Sequence, residues 1–423
     1  MREAPIHRLD VASQEFAGHA YERYAELRDE SPVIRLVQPD GTEVWLITRY
    51  ADARAALADP RLSKDTRKGH QAMINAHFIP PGARPQEGEP GMLFADPPDH
   101  DRLRRLVGRA FTPRRIAQLE PRVDEITVAL LDAMEAQSGN RREVDLMADF
   151  ALPLPITVIC ELLAVPAADR ASVRYWTDQM LATAAGPNPV DAPPPGESMY
   201  GYLARLAREA APRVRRDLPQ EAQPNLLHAL IAATDDRDGL GPQELVEMLL
   251  LLLIAGHETT VNLIGNGMLA LLRNPDQQRT LRSRPDLLPG AVEEFLRYDG
   301  PIERATFRHS LEPIEVGDVI IPAQRVVGIV LASADHDPAR FADPEMLDVT
   351  RPPAPHVALG HGIHFCLGAP LARLEGRIAF GRLLERFGEI SLAEPGEPLR
   401  YRAAGHLSRG LATLPVRLGA PGR

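Results

Sequence analysis

The sequence predicts a mainly α-helical protein with a minor β-sheet region. Three observations support this fold class: a long apolar helix candidate at residues 242–273, many shorter helical stretches around it, and a few β-branched segments broken by Gly and Pro. The chain has 423 residues, of which 44% are hydrophobic and 25% charged, enough to bury a large core. We expect one domain over residues 1–423, with short flexible ends at 1–10 and 419–423.

The elements of the N-terminal part begin with a helical pattern at residues 21–30. The stretch VIRLVQPDGTEVWLITRY then predicts a hairpin that turns at Asp40-Gly41, and YADARAALADP predicts another helix. Further helices are predicted at 99–111, 114–137, 153–163, 199–215 and 224–233. Two Pro/Gly-rich stretches, 79–98 and 186–197, interrupt this pattern and are predicted to be long functional loops.

The longest helix candidate is PQELVEMLLLLLIAGHETTVNLIGNGMLALLR at 242–273. Pro242 suits a first helical turn, and Asn274-Pro275 would stop the helix. Because it is apolar on nearly all faces, it must run through the core. Its middle nevertheless carries Gly-His-Glu-Thr-Thr at 256–260, and such polar groups are costly to bury unless partners or a cavity receive them.

The C-terminal part combines strands with one more strong helix. The β-branched stretch at 314–330 predicts a small sheet, and RGLATLPVRL near the end predicts a final strand. Between them, APLARLEGRIAFGRLLERF follows a glycine-rich loop and predicts a helix.

Composition excludes several classes of function. The start, MREAPIHRLD, has no apolar segment, so we expect neither a signal peptide nor a membrane anchor. Two cysteines, Cys160 and Cys366, do not make a disulfide framework and suit the cytoplasm. A net charge of -10 argues against bulk nucleic-acid binding. Lysine occurs only at positions 64 and 68, although Lys and Arg together number 48.

The glycine-rich loop GHGIHFCLGAPLAR, residues 360–373, contains Cys366 directly before the predicted helix. Free N–H groups and the helix dipole at that position stabilise negative charge on sulfur. Such a thiolate would be a good ligand for a flat iron macrocycle, which the glycines allow to approach the backbone. Two alternatives remain open from the residues alone: an inert buried cysteine, and a zinc site built from His361, His364 and Cys366 that lacks an evident fourth ligand.

The same loop, extended to LGHGIHFCLGAPLAR, resembles the haem-binding loop of cytochrome P450 monooxygenases, Phe-Gly-x-Gly-x-x-x-Cys-x-Gly. Leu359 stands where that family usually has phenylalanine, so we expect altered packing beside the sulfur. The resemblance runs from about residue 20 to the C-terminus. It implies the P450 fold, with haem b between the long central helix and the cysteine-loop helix and Cys366 as the axial ligand.

Further motifs of the family occur in the right order. EEFLR resembles the Glu-x-x-Arg helix, and its Glu294 and Arg297 would form a structural triad with Arg351. AGHETT resembles the oxygen-activation stretch, in which Ala255 leaves room for dioxygen and Glu258 and Thr259 are the implied catalytic proton donors.

DPPDHDRLRRLVGRAFTPRR, residues 96–115, resembles the helix that runs along the haem edge. The implied cofactor-binding residues, including those that would bind the two haem propionates, are His100, Arg104, Ala255, Arg308, Leu359, Gly360, His364, Cys366 and Gly368. The remaining arginines form either a solvated cationic face or a docking surface for an acidic electron carrier; they are Arg102, Arg105, Arg109, Arg114 and Arg115.

The implied reaction is insertion of one oxygen atom of O2 into a substrate C–H bond, with epoxidation as a variant. Electrons would come from NAD(P)H through a ferredoxin reductase and ferredoxin, to a monomeric protein. The stretch AGHETTVNLIGNG is similar to actinobacterial enzymes that tailor macrolides and other polyketides or hydroxylate sterol-like molecules, which implies a bulky hydrophobic substrate. The expected pocket residues are Met92, Phe94, Met180, Leu181, Leu251, Ile254, Ala255, Ile302, Leu407 and Ser408.

Two other functions stay open. The first keeps the haem–thiolate fold but carries out peroxide-driven oxidation, rearrangement or scaffolding. The second is a zinc or structural protein without haem.

Overall fold

The computed structural model describes residues 2–84, 91–184, 198–235, 238–402 and 407–420. Most of this chain is helical. Its α-helices are α1 Gln14–Gly18, α2 Ala20–Glu30, α3 Tyr50–Ala58, α4 His70–Asn75, α5 Asp99–Ala110, α6 Pro113–Ala117, α7 Glu120–Gln137, α8 Pro153–Leu162, α9 Arg170–Ala184, α10 Met199–Ala210, α11 Leu226–Ala232, α12 Pro242–Arg273, α13 Pro275–Ser283, α14 Leu288–Tyr298, α15 Leu331–Ala334 and α16 Ala369–Arg386.

Short strands form three sheets at the sides of the helices. The strands are β1 Ile6–Arg8, β2 Val33–Val37, β3 Glu43–Ile47, β4 Leu62–Ser63, β5 Glu143–Asp145, β6 Arg308–Ser310, β7 Ile314–Val316, β8 Val319–Ile321, β9 Val326–Ile329, β10 Ile390–Leu392 and β11 Pro415–Leu418. The largest sheet has the order β1-β2-β3-β9-β6-β4, the second β10-β11-β5, and the third pairs β7 with β8. In the β2–β3 hairpin Arg35 faces Trp45.

Helix α12 is the centre of the core. It packs against α8, α10, α14 and α16, and nearly all of its side chains beyond Thr260 are buried. Two glycines allow this contact: a Cβ at Gly265 would lie 2.5 Å from the Met147 sulfur, and one at Gly267 would lie 2.6 Å from the Phe380 ring. By length and hydropathy α12 could cross a membrane, but 61% of its most apolar window is buried against the rest of the described chain. It is therefore a core helix, as found in soluble proteins.

Several predicted elements have the predicted bounds, and others differ for a physical reason. The hairpin at Asp40-Gly41 and the helix at 242–273 are confirmed. The helix predicted at 114–137 is broken into α6 and α7 by Pro121. In one continuous helix the ring of Pro121 would clash with the carbonyl of Ala117, and proline has no N–H to donate to it. The helix predicted at 199–215 ends as an α-helix at Ala210, just before Pro212, and continues as a 3-10 turn.

Other parts of the sheet and helix pattern were not predicted. The stretch 314–330, predicted to form one small sheet, contributes strands to two sheets: β7 and β8 pair with each other, and β9 joins the large sheet. Helix α9 was missed, although Val173, Trp176 and Thr177 are spaced as a buried helical face. Within the predicted flexible end at 1–10, β1 pairs with β2. Much of the two predicted functional loops, at 85–90 and 186–197, lies outside the described residues.

Candidate active site

The cysteine loop is a tight turn that leads into α16. Gly360 and Gly362 both have φ +76°, in the left-handed region where a Cβ is unfavourable. A Cβ at Gly362 would also lie 3.0 Å from the Leu57 carbonyl oxygen, so the loop requires glycine there for space as well. The Cys366 N–H donates to the Leu359 carbonyl at 2.9 Å, and α16 begins at Ala369. This geometry holds the cysteine at the N-terminus of a long helix.

Cys366 is a free, partly buried thiol, and several groups around it favour its ionised form. Burial raises the pKa of the Cys366 thiol, while N–H groups of Gly368 and Ala369 that donate to the sulfur, together with Arg104 and Arg373, lower it. The effect of burial is the larger one, so the pKa of the thiol is raised on balance. A further positive partner, such as a metal ion, would stabilise the thiolate.

The cysteine faces a cavity of about 270 Å³ between α12 and α16. Its wall is mostly apolar, and the large apolar side chains in it are Leu57, Met92, Leu93, Phe111, Ile159, Leu251, Leu252, Leu263, Leu296, Ile302, Leu331, Leu359, Leu367 and Leu371. Two larger grooves, of about 650 and 920 Å³, lie at other places and contain neither Cys366 nor α12. The mostly apolar wall and the sulfur of Cys366 make the smaller cavity the candidate site.

On the α12 side of the cavity, Ala255, Gly256 and Thr259 line the wall. The Thr259 hydroxyl donates to the Ala255 carbonyl at 2.8 Å, which leaves its oxygen at the cavity surface. Glu258 does not line the cavity. Its carboxylate accepts from Arg402 Nη1 at 3.0 Å and from Asn262 Nδ2 at 3.4 Å.

One end of the cavity is lined by cationic and imidazole side chains. His100, Arg104, Arg308 and His364 all contribute to it. The rings of His100 and His364 lie 4.4 Å apart, and Arg104 Nη2 donates to the Phe365 carbonyl at 2.7 Å. Burial lowers the pKa of Arg308 to about 10, and burial together with Lys64, His100 and Arg308 lowers the pKa of His364 to about 2. This end of the cavity is suited to an anionic group.

Comparison with known proteins shows which family has this site. The sequence profile of the family "Cytochrome P450" matches residues 197–402. The chain is 48% identical to "Cytochrome P450 monooxygenase PikC" of Streptomyces venezuelae over 98% of this chain and 94% of that one. It is 45% identical to "Vitamin D(3) 25-hydroxylase" of Pseudonocardia autotrophica, with 97% and 96% covered. The solved "tirandamycin C-bound P450 monooxygenase TamI" matches at 42% identity and a TM-score of 0.81, with 97% and 100% covered.

The chain belongs to the cytochrome P450 family. It is a haem–thiolate monooxygenase that uses O2 and receives electrons from redox partners. The P450 fold predicted from the sequence is confirmed. The zinc hypothesis is not supported, because among the residues that the structure describes no three His, Cys, Asp or Glu side chains are grouped for a metal ion.

The residues of this P450 fit a haem. Arg308 is 3% exposed, and in the described chain no carboxylate lies within ion-pair distance of it; its guanidinium donates to the Thr306 carbonyl at 3.1 Å. A buried cation without an anion is unfavourable, and a carboxylate of a haem would supply an anion for it. The apolar walls and the sulfur of Cys366 complete the match.

The structure brings the predicted triad of the P450 together. Glu294 and Arg297 form a bidentate pair at 2.7 and 2.8 Å, and Arg351 Nε lies 3.1 Å from Glu294 Oε1. Arg297 also donates to the carbonyls of Asp335 and Pro344. The triad therefore joins α14 to the segment that precedes the cysteine loop.

The predicted pocket residues divide into two groups. Those that line the cavity are Met92, Leu251, Ala255 and Ile302. Those outside its lining are Phe94 and Met180, which are 42% and 38% exposed, and Ile254, Leu407 and Ser408. The lining of α12 extends from the Leu251–Ala255–Thr259 row to one side only, towards Leu252, Gly256 and Thr260. Ile254 is excluded because position 254 lies about 100° from position 255 on the other side of that row. The side chain of Leu181 lies outside the described residues.

The predicted redox-partner arginines do not form one uniform face. Arg102 is paired with Glu244 of α12, and Arg115 donates to the carbonyls of Gln220 and Glu221. Arg105, 3.9 Å from Asp238, is exposed, as are Arg109 and Arg114. Two of the five arginines, Arg102 and Arg115, therefore bind groups of the protein itself.

Sequence reasoning did not identify two cationic residues at the site. Lys64 lines the cavity, and Arg402 holds Glu258. The sequence contains one clue to Lys64, because it is one of only two lysines in the chain. The sequence contains no such clue to Arg402, since it is one arginine among many and lies 144 residues from its partner Glu258.

Proposed function

We propose that the thiolate of Cys366 would hold the haem iron and that O2 and substrate would react in the cavity between α12 and α16. The observation that carries this proposal is the position of the sulfur: it faces the cavity and accepts from the N–H groups of Gly368 and Ala369 at a helix N-terminus. When bound, haem supplies the redox and oxygen-activating chemistry. The protein supplies the thiolate, the enclosure and the protons.

His100, Arg104, Arg308 and His364 hold the haem carboxylates. All four line one end of the cavity, and Arg308 has no protein carboxylate as a partner among the described residues. Charge-assisted hydrogen bonds to carboxylates are about twice as strong as neutral ones, so two arginines at this end anchor and orient the cofactor. Leu359, Gly360 and Gly368 form the backbone and apolar contacts beside the sulfur.

Thr259 and Glu258 deliver protons. The Thr259 hydroxyl is at the cavity surface and can exchange its bond to the Ala255 carbonyl for one to oxygen in the cavity. Glu258, which precedes it in the chain, takes up a proton from solvent and passes it to Thr259. Because Arg402 holds the Glu258 carboxylate away from the cavity, this transfer requires Glu258 to move or a water to bridge.

The substrate is a bulky, largely hydrophobic natural product of the polyketide, macrolide or sterol type, and the product is an alcohol or an epoxide. Two observations support this class. The cavity wall is mostly apolar, including Met92, Leu251 and Ile302. Among similar proteins, one is named for hydroxylating vitamin D(3) and another was solved with tirandamycin C.

The electron donors are a ferredoxin and its NAD(P)H-dependent reductase, which dock near the exposed arginines Arg105, Arg109 and Arg114. The protein acts as a monomer in the cytoplasm. The support is compositional: a locally basic helix in a chain of net charge -10 suits an acidic carrier.

The decisive experiment compares the two cysteines. Purified wild-type protein is expected to show a Soret band and, after reduction under CO, the spectral signature of a thiolate-ligated haem. Cys366→Ser is expected to lose that signature and turnover, while Cys160→Ser, which changes a buried core thiol that does not line the cavity, keeps both. A thiolate signature that persists in Cys366→Ser would overturn the proposal.

A second experiment tests the substrate class. Macrolides, sterols and small alcohols are titrated separately into the ferric protein, and the spin state of the haem is followed by absorbance. We expect a shift to high spin with bulky hydrophobic ligands. Tight binding of only very small ligands would contradict the proposed class.

A further inference from the structure

Lys64 is a buried lysine without a buried counter-charge. Its residue is 2% exposed, and its ammonium lies at the wall of the active-site cavity. The only hydrogen bond recorded for Nζ within the described chain goes to the Thr306 hydroxyl at 2.6 Å. Phe94 lies under the same ammonium, with its ring centre 5.8 Å away. A hydroxyl and an aromatic ring do not neutralise a cation, so the site lacks an anion.

The nearest acidic residue is already used by other donors. Asp96 accepts from the Lys64 backbone N–H at 3.0 Å, from the Ser63 hydroxyl at 2.6 Å and from the Lys68 ammonium at 2.8 Å. No ion pair joins Asp96 to the Lys64 ammonium in the described residues. Lys68 is therefore the structural partner of Asp96, and Lys64 is directed to the cavity instead.

Thr306 places Lys64 beside a second buried cation. Its hydroxyl accepts from Lys64, and its carbonyl accepts from Arg308 at 3.1 Å. Burial is the main cause that lowers the pKa of Lys64, the charge of Arg308 lowers it further, and Asp96 opposes both. A single anion between the two cations would stabilise both.

We propose that Lys64 binds a haem carboxylate together with Arg308, and that Thr306 positions both cations for this contact. This inference rests on the haem site proposed above and adds to it a residue that the sequence motifs do not contain. A carboxylate of the cofactor fits better than one from a substrate, because the neighbours Arg308, His364 and His100 belong to the same end of the cavity.

The test measures haem retention without substrate. Lys64→Met keeps the length of the side chain and removes the charge, and Lys68→Met is the matched control at the only other lysine, which is exposed. Haem transfer from each holoprotein to excess apomyoglobin is followed by absorbance. We expect Lys64→Met to release haem about tenfold faster or more, and Lys68→Met to stay within about twofold of wild type. Lys64→Met is also expected to lower the haem reduction potential, since a nearby cation favours the reduced state.

Equal release rates in Lys64→Met and Lys68→Met would overturn the role of Lys64. If Lys64→Met does not fold, Thr306→Val decides the question, because it removes the hydroxyl and keeps every charge: release about threefold faster than in Lys68→Met supports the proposal, and an unchanged rate overturns it. Failure of the proposed function looks different, since the wild-type protein would then lack the thiolate signature. A wild-type signature with equal release rates contradicts only the inference about Lys64.

Discussion

Arg402 holds the carboxylate of Glu258 in an ion pair at 3.0 Å, outside the lining of the active-site cavity. The same guanidinium reaches Asp178 of α9 at 3.4 Å. Glu258 is 6% exposed as a side chain, Arg402 24% and Asp178 36%, so the three form a path from the core to the surface. The proposed proton donor of the central helix is therefore tied to α9 by one arginine.

Replacing Arg402 by Gln is expected to reduce the fraction of NAD(P)H that yields product by about tenfold, because the buried Glu258 then loses its link through Arg402 to Asp178 and the surface, from which it would take up a new proton. Arg400→Gln changes an exposed arginine two positions earlier and serves as the control. Product, hydrogen peroxide and NAD(P)H are measured together, with the solvent isotope effect on turnover. Unchanged coupling and isotope effect in Arg402→Gln would show that the ion pair is only structural.

Thr259→Ala is expected to uncouple NAD(P)H oxidation from product formation. The variant loses the hydroxyl that donates to the Ala255 carbonyl at the cavity wall. Peroxide should rise as product falls by about tenfold, while substrate-induced spin shifts stay as in the wild type. Thr259→Ser keeps the hydroxyl and should retain most of the coupling. A fully coupled alanine variant would remove Thr259 from the proposed proton path.

Glu294→Gln is expected to destabilise the folded protein by about 3–5 kcal/mol, because it leaves the buried guanidinium of Arg297 without its anion. The same change loosens the connection of α14 to Arg351 before the cysteine loop. Thermal unfolding followed by far-UV circular dichroism, and the haem content after expression, measure the effect. The exposed Glu315→Gln is the control, and equal melting temperatures of the two variants would contradict a structural role of the triad.

Glu293 gives stability a defined dependence on pH. Burial opposes ionisation, but hydrogen bonds from Arg373 and His356 outweigh it and lower the pKa of Glu293 to about 2. A carboxyl with a depressed pKa stabilises the fold above its unfolded value near 4.5, and this stability is lost as the pH falls towards about 2. Glu293→Gln should therefore lower the unfolding free energy by about 2–3 kcal/mol at neutral pH.

The pH profile distinguishes this effect from a loss of packing. Wild-type stability is expected to fall steeply between pH of about 4.5 and 2, whereas the Glu293→Gln variant follows a flatter curve over that range. Urea unfolding at a series of pH values provides the measurement. Parallel curves for the two proteins would mean that Glu293 titrates alike in the folded and unfolded chains.

The sequence by itself determined the fold class, the central helix and the cysteine loop. These features follow from local sequence patterns. One is a long apolar stretch that stops at Asn274-Pro275, and the other is a glycine-rich loop that places Cys366 directly before a helix. The Glu294–Arg297 pair was also within reach, because a spacing of three places both side chains on one helical face. Arg351 and the cavity positions Leu251 and Ala255 came only from the resemblance to the family.

Only the tertiary structure decided which partner each charge has. Lys64 and Thr306 are 242 residues apart, and Arg402 and Glu258 are 144 apart, so no local pattern could pair them. It also showed that Arg102 and Arg115 are bound within the protein and that Phe94 and Met180 lie outside the cavity lining. The physical reason is that hydrophobic spacing fixes which face of a helix is buried, while the charge opposite that face depends on how distant segments pack.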